Sequence, residues 1–280
     1  MTPNLRGALW MMASMAGFAI EDAFLKKAAG AVPLGEILLI EGLCGMAFFA
    51  LLALRRGEAP LPRGVLTRTM AVRSGFEIVG RLFYALAIAL TPLSSTSAIL
   101  QATPLIVVPA AAVLFGERVG VFRWTLIGVG FLAVLLIIRP GGETFTPLSL
   151  LAVAGMLGFA GRDLATRAAP LALSNVQLGT AGFGVLALAG VVLSFWTGIK
   201  AIETPGLLAG AIVFGVSGYA ALTIAMRSGE VSAVTPFRYS RLVFALILSV
   251  AVFGEHPDAM TLAGSAIIVA CGVALLTRKT

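Results

Sequence analysis

The chain has 280 residues, 59% of them hydrophobic and only 12% charged, with a formal net charge of +7. A water-soluble domain of this size has no means of hiding so much apolar surface, so composition points to lipid as the solvent. The basic residues fall in short stretches between apolar runs, which reads as a topology signal rather than as nucleic-acid binding.

In chain order the apolar runs predict ten helices, near residues 5–26, 34–54, 72–91, 95–115, 121–139, 147–167, 174–196, 205–226, 231–253 and 259–277. Most are about 20 residues long, enough to cross roughly 30 Å of hydrocarbon at about 1.5 Å per residue. They lack the alternation of barrel strands. The first run carries Glu21 and Asp22 and no small-residue cleavage site, so it reads as a retained helix rather than a signal peptide. Cys44 and Cys271 lie inside apolar runs as small hydrophobes, and the single histidine, His256, falls in a predicted loop. No metal-ligand spacing, phosphate loop or nucleophile constellation is present in the sequence, so no metal, no cofactor and no enzyme activity are expected. The expected partners are a small-molecule substrate and the lipid bilayer, and nothing in the sequence sets an oligomeric state.

Orientation follows from the distribution of Lys and Arg. With the N-terminus in the cytoplasm, the inside set is Arg6, Arg55, Arg56, Arg63, Arg68, Arg73, Arg118, Arg123, Arg167, Arg227, Arg278 and Lys279. The outside set is Lys26, Lys27, Arg139 and Lys200. Twelve against four places both termini in the cytoplasm of a bacterial inner-membrane protein.

Three matches recur at about half the chain length. Residues 15–22 (MAGFAIED) return as 156–163 (MLGFAGRD), 85–89 (ALAIA) as 221–225 (ALTIA), and 115–117 (FGE) as 253–255 (FGE). They divide the chain into residues 1–140 and 141–280, each with five helices. An odd number of crossings makes the second half enter from the opposite side, and such inverted repeats are common in secondary transporters.

The length, the five-plus-five repeat and the two Phe-Gly-Glu sequences together resemble the drug/metabolite transporter superfamily, in its ten-helix EamA-type branch. The resemblance covers nearly the whole chain. It implies an all-α membrane fold of two inverted five-helix repeats around a central cavity, with helices 5 and 10 at the periphery, and it implies metabolite transport, amino-acid export included. The stretch from Pro236 through Arg241 to Asp258 also looks like bacterial relatives that carry S-adenosylmethionine.

Ionisable residues inside membrane spans are costly and tend to face protein or water. Here they are Glu21, Asp22, Glu41, Glu77, Arg81, Arg162, Asp163, Arg238 and Arg241. Asp22 with Lys26, and Asp163 with Arg167, are spaced four apart and read as structural ion pairs along one helix face. Glu21 and Arg162 stand at matching repeat positions with opposite charge, which suits an asymmetric substrate. Glu77, Arg81 and Tyr84 share one helix. Arg238 and Arg241, with Tyr239 beside them, read as a carboxylate or phosphate fork, or as partners of Glu77 or Glu41. Gln101, and Trp10 on a helix expected to face the cavity, complete the candidate substrate-binding set. Pro104 and Pro236 are candidate hinges.

The expected function is alternating-access transport of small zwitterions, most simply amino acids (aromatic, threonine or methionine) in the export direction. The alternative is uptake or exchange of S-adenosylmethionine or a related nucleoside metabolite. Proton coupling, through Glu21, Asp22 or Glu77, and facilitated diffusion both stay open.

Overall fold

Helices satisfy their backbone groups within one segment, which is why long apolar runs in lipid adopt them. A computed structural model describes residues 2–28, 31–90, 99–138, 148–200, 204–253 and 259–277. The long helices are α1 (Pro3–Ala28), α2 (Leu34–Arg55), α3 (Arg68–Leu90), α4 (Thr103–Phe115), α5 (Val121–Ile138), α6 (Ser149–Arg167), α7 (Asn175–Thr197), α8 (Pro205–Met226), α9 (Ser240–Phe253) and α10 (Ala259–Thr277). Among the described residues there are no strands. Five segments are long and apolar enough to cross a membrane by themselves: Pro3–Leu25, Leu34–Arg55, Asn175–Thr197, Pro205–Met226 and Val231–Val252. Large apolar side chains such as Phe48, Leu54, Val113 and Phe195 are exposed on the outer surface, where lipid rather than water is their natural solvent.

The helices pair in a regular way. α1 runs along α8, α3 along α6, α2 along α7, and α5 against α10, while α9 meets α1 and α4 meets α6. Glycines set several close crossings. A Cβ on Gly158 of α6 would lie 2.4 Å from the backbone nitrogen of Gly80 in α3, and one on Gly17 of α1 would lie 3.0 Å from Cα of Gly218 in α8. Small residues at such crossings let helix backbones touch.

Two predicted helices are not continuous. In place of an unbroken helix over 231–253, a helical turn (Val231–Val234) leads into a 3-10 stretch (Thr235–Tyr239) before α9 begins. Pro236 lies in the first turn of that 3-10 stretch, where its missing N–H costs least. Pro104 likewise sits at the start of α4 rather than in mid-helix, and it is Pro109 that lies inside. Gly116 closes α4 with φ of 66°, a left-handed conformation that favours glycine. The adjacent Glu117 then accepts hydrogen bonds from the backbone N–H groups of Val231 (2.8 Å) and Ser232 (2.9 Å). The first Phe-Gly-Glu sequence thus ties the end of α4 to the broken segment. Gly254 and Glu255 of the second lie outside the described residues.

Candidate transport cavity

The spacing of α1 turns Met15, Phe18, Glu21, Asp22 and Leu25 to one side, and these residues line a cavity of about 90 Å³. Across it stand Leu38 and Glu41 of α2, Arg81 and Tyr84 of α3, Phe159 and Arg162 of α6, and Arg238 and Arg241 of the broken segment and α9. Gln101 and Thr103 close the side next to α4. Of the predicted substrate-binding residues, Glu21, Arg81, Tyr84, Gln101, Arg162, Arg238 and Arg241 therefore converge on one space.

Glu77 stands directly behind the cavity wall and is fully buried. It accepts from Arg162 at 3.2 Å, from Arg81 at 3.4 Å and from the Tyr219 hydroxyl at 3.4 Å. Arg73, one turn earlier on α3, lies 3.9 Å from Glu77; it donates to Thr166 at 2.9 Å and to the Tyr219 hydroxyl. Asp163 is held by Arg162 at 2.9 Å and by Arg238. Asp22 accepts from Nε and Nη2 of Arg241 at 3.1 and 2.5 Å. Phe18 and Phe159, which occupy matching places in the repeated sequences, each carry a guanidinium over the ring: Arg241 at 5.4 Å and Arg162 at 5.0 Å.

Several expectations change here. Asp163 finds its bases on its neighbour Arg162 and across the bundle on Arg238, not on Arg167 one turn along. Asp22 is likewise bound across the bundle, by Arg241; the side chain of Lys26 lies outside the described residues. Interhelical guanidiniums approach these carboxylates closely because both partners point inward from facing helices. Trp10 does not reach the cavity: five residues before Met15 on a 3.6-residue helix, it turns outward and is 38% exposed. Tyr239 also faces away, donating to the Ile127 carbonyl of α5 at 3.3 Å and packing with Ala133 and Ile268. Arg73, counted above in the cytoplasmic set, belongs to the buried charge network. Its spacing with Glu77 and Arg81 at every fourth position was the signal that it shares their helix face. Tyr219 had no such signal.

Two charged groups facing the cavity, the buried Glu41 and the part-buried Arg238, carry atoms with unused valence. Among the described residues both carboxylate oxygens of Glu41 are without a hydrogen-bond donor, and Nε of Arg238, whose Nη2 is held by Asp163, is without an acceptor. Opposite charge is thus available to a solute at two places.

A bundle of apolar helices around a small, charge-lined cavity defines a multi-pass membrane protein built to pass a small solute. The chain belongs to the EamA-like transporter family, whose model matches residues 5–139 and 146–278. It is 27% identical to the pseudopaline exporter CntI of Pseudomonas aeruginosa over 279 residues, covering 98% of this chain and 96% of that one. It is 28% identical to the S-adenosylmethionine uptake transporter of Rickettsia bellii over 191 residues, covering 66% and 64% of the two chains. It is 25% identical to the riboflavin transporter of Rhizobium johnstonii over 290 residues, covering 98% and 91%. A solved crystal structure shares the fold, with a TM-score of 0.78, 20% identity and 98% coverage of both chains. The family and these relatives are transporters of small metabolites, not enzymes.

Proposed function

We propose that this protein carries small zwitterionic metabolites, amino acids or close derivatives, across the bacterial inner membrane by alternating access, most simply as an exporter. The observation that carries this reading is a pair of oppositely charged groups on one cavity, each with atoms that make no hydrogen bond among the described residues. Arg238 Nε offers a donor to a carboxylate, and Glu41 offers two acceptors to an ammonium group. Buried polar atoms left without a partner are costly, so a solute that supplies both opposite charges is favoured there.

The carrier is read as ten crossings in two inverted halves, residues 1–140 and 141–280, with both termini cytoplasmic. Two observations support the division into two halves. The family model matches each half separately, and the helix pairing α1 with α8, α3 with α6, α2 with α7 and α5 with α10 is unchanged when each helix is exchanged for the one five places on. Pro104 and Pro236, at the starts of α4 and of the 3-10 stretch, are the proposed hinges of the exchange.

S-adenosylmethionine is the second reading, favoured by the Rickettsia bellii relative and by the amino-acid end that this metabolite shares with simpler zwitterions. Counterflow into proteoliposomes loaded with one compound at a time separates the two. Movement of methionine, threonine or aromatic amino acids supports the proposal. Movement of S-adenosylmethionine alone replaces it with the second reading, and movement of none rejects both.

A further inference from the structure

Glu21 reaches from α1 and Glu41 from α2 toward the same point on α8. A Cβ built on Gly215 would lie 2.7 Å from Oε1 of Glu41 and 3.1 Å from Oε1 of Glu21. The two side chains line the cavity and are 4% and 1% exposed. Among the described residues no donor other than the Glu21 carboxyl stands beside the Glu41 oxygens. The guanidiniums that share the cavity are engaged elsewhere: Arg81 and Arg162 on Glu77, Arg238 on Asp163 and Arg241 on Asp22.

Two carboxylates at one buried place repel each other until a positive charge joins them. The charged and titratable groups that act on this pair are Asp22 of α1, Arg81 of α3 with Tyr84 one turn on, and Arg241 of α9. The flanking helices α7 and α8 contain no charged residue. Gly215 therefore leaves room on α8 for two acids, with Arg81, itself bonded to Glu77, as a neighbouring cation.

We propose that Glu21 and Glu41 form a subsite for a single positive charge, taken by the ammonium group of the carried metabolite and, once the metabolite has left, by a proton. The inference rests on the zwitterion reading above. Because the same carboxylates serve both occupants, ammonium and proton exclude one another. Transport is then an exchange, with the metabolite moving one way and the proton the other.

The first test looks for the proton directly. A hydrophobic carbodiimide reacts with protonated carboxyl groups in apolar surroundings, and peptide mapping of the treated protein in proteoliposomes should place the adduct on Glu21 or Glu41. Excess methionine should suppress it. Absence of an adduct at both positions overturns the proposal, whatever the protein carries. The second test compares binding of methionine with that of its 2-hydroxy analogue, which keeps the carboxylate and lacks the ammonium group. In Glu41→Gln the ratio of methionine to analogue affinity should fall by about tenfold or more, the loss typical of removing one partner of a buried charge pair. Gly215→Ala, which keeps both charges but crowds them, should lower the same ratio. An unchanged ratio in both variants overturns the subsite. If the wild type binds neither compound, the zwitterion reading fails, and the carbodiimide map alone decides whether the pair holds a proton.

Discussion

Asp22 and Asp163 occupy matching places in the two related segments of the chain, yet the bases that cross the bundle to reach them come from a single short stretch: Arg241 holds Asp22 and Arg238 holds Asp163. α1 and α6 are thereby tied to the same junction, where the 3-10 stretch passes into α9. Any movement of that junction relative to either helix must break or stretch one of these pairs, so the cavity and the packing of the bundle are coupled through two arginines.

Arg238→Ala should reduce counterflow by about tenfold while leaving membrane expression near wild type, because Asp163 keeps Arg162 as a partner. Transport at the wild-type rate in this variant would remove the broken segment from the solute path. Quantitative counterflow beside an expression blot measures both quantities.

Removing Arg241 leaves Asp22 without its guanidinium in a partly buried setting. Arg241→Gln should lower thermal stability by about 1–3 kcal/mol, and adding Asp22→Asn should restore part of the loss. A double-mutant cycle of detergent-solubilised protein gives the coupling energy, and a coupling near zero would argue that the pair does not hold α9 to α1.

Glu77 is the buried acid on which three arginines of the network converge. Glu77→Ala leaves like charges facing each other without compensation, and a loss of about 3–5 kcal/mol is expected. Glu77→Gln keeps acceptor geometry and should cost less. Thermal-shift midpoints for the two variants check the order, and equal midpoints would contradict it.

The α3–α6 crossing has no room for a side chain at Gly158, whereas a Cβ at Gly75 on the same α3 meets nothing within 4 Å. Gly158→Ala should therefore destabilise by about 1–3 kcal/mol, with less monodisperse protein on size exclusion. Gly75→Ala should match wild type. The pair of variants separates backbone contact from a general intolerance of glycine replacement in membrane helices.

Trp10→Ala should leave the counterflow KM unchanged, since Trp10 lies on the outer face of α1. Tyr84→Ala, which opens the cavity wall beside Phe159, should raise it. A raised KM in the Trp10 variant together with an unchanged one in the Tyr84 variant would mean that α1 presents the other face during transport.

Much of this protein is written along the chain. Apolar runs of the right length determined that it is helical and lies in lipid, because no other solvent accepts so much exposed apolar surface. The repeated MAGFAIED and MLGFAGRD segments pointed to the α1 and α6 faces that carry Glu21, Asp22, Arg162 and Asp163, since a helix places residues three and four apart on one side. Which charges meet was decided by tertiary structure alone. Spacing along one helix suggested Asp163 with Arg167, but ion pairs form where facing helices point inward, and that depends on crossings set by glycines far away in sequence. The same holds for Arg73, drawn into the interior by Tyr219 and Thr166, and for Tyr239, turned toward α5 by the 3-10 stretch around Pro236. Glu21 and Glu41 are 20 residues apart on different helices. They become neighbours only because α8 presents Gly215 between α1 and α2, an arrangement that no local pattern encodes.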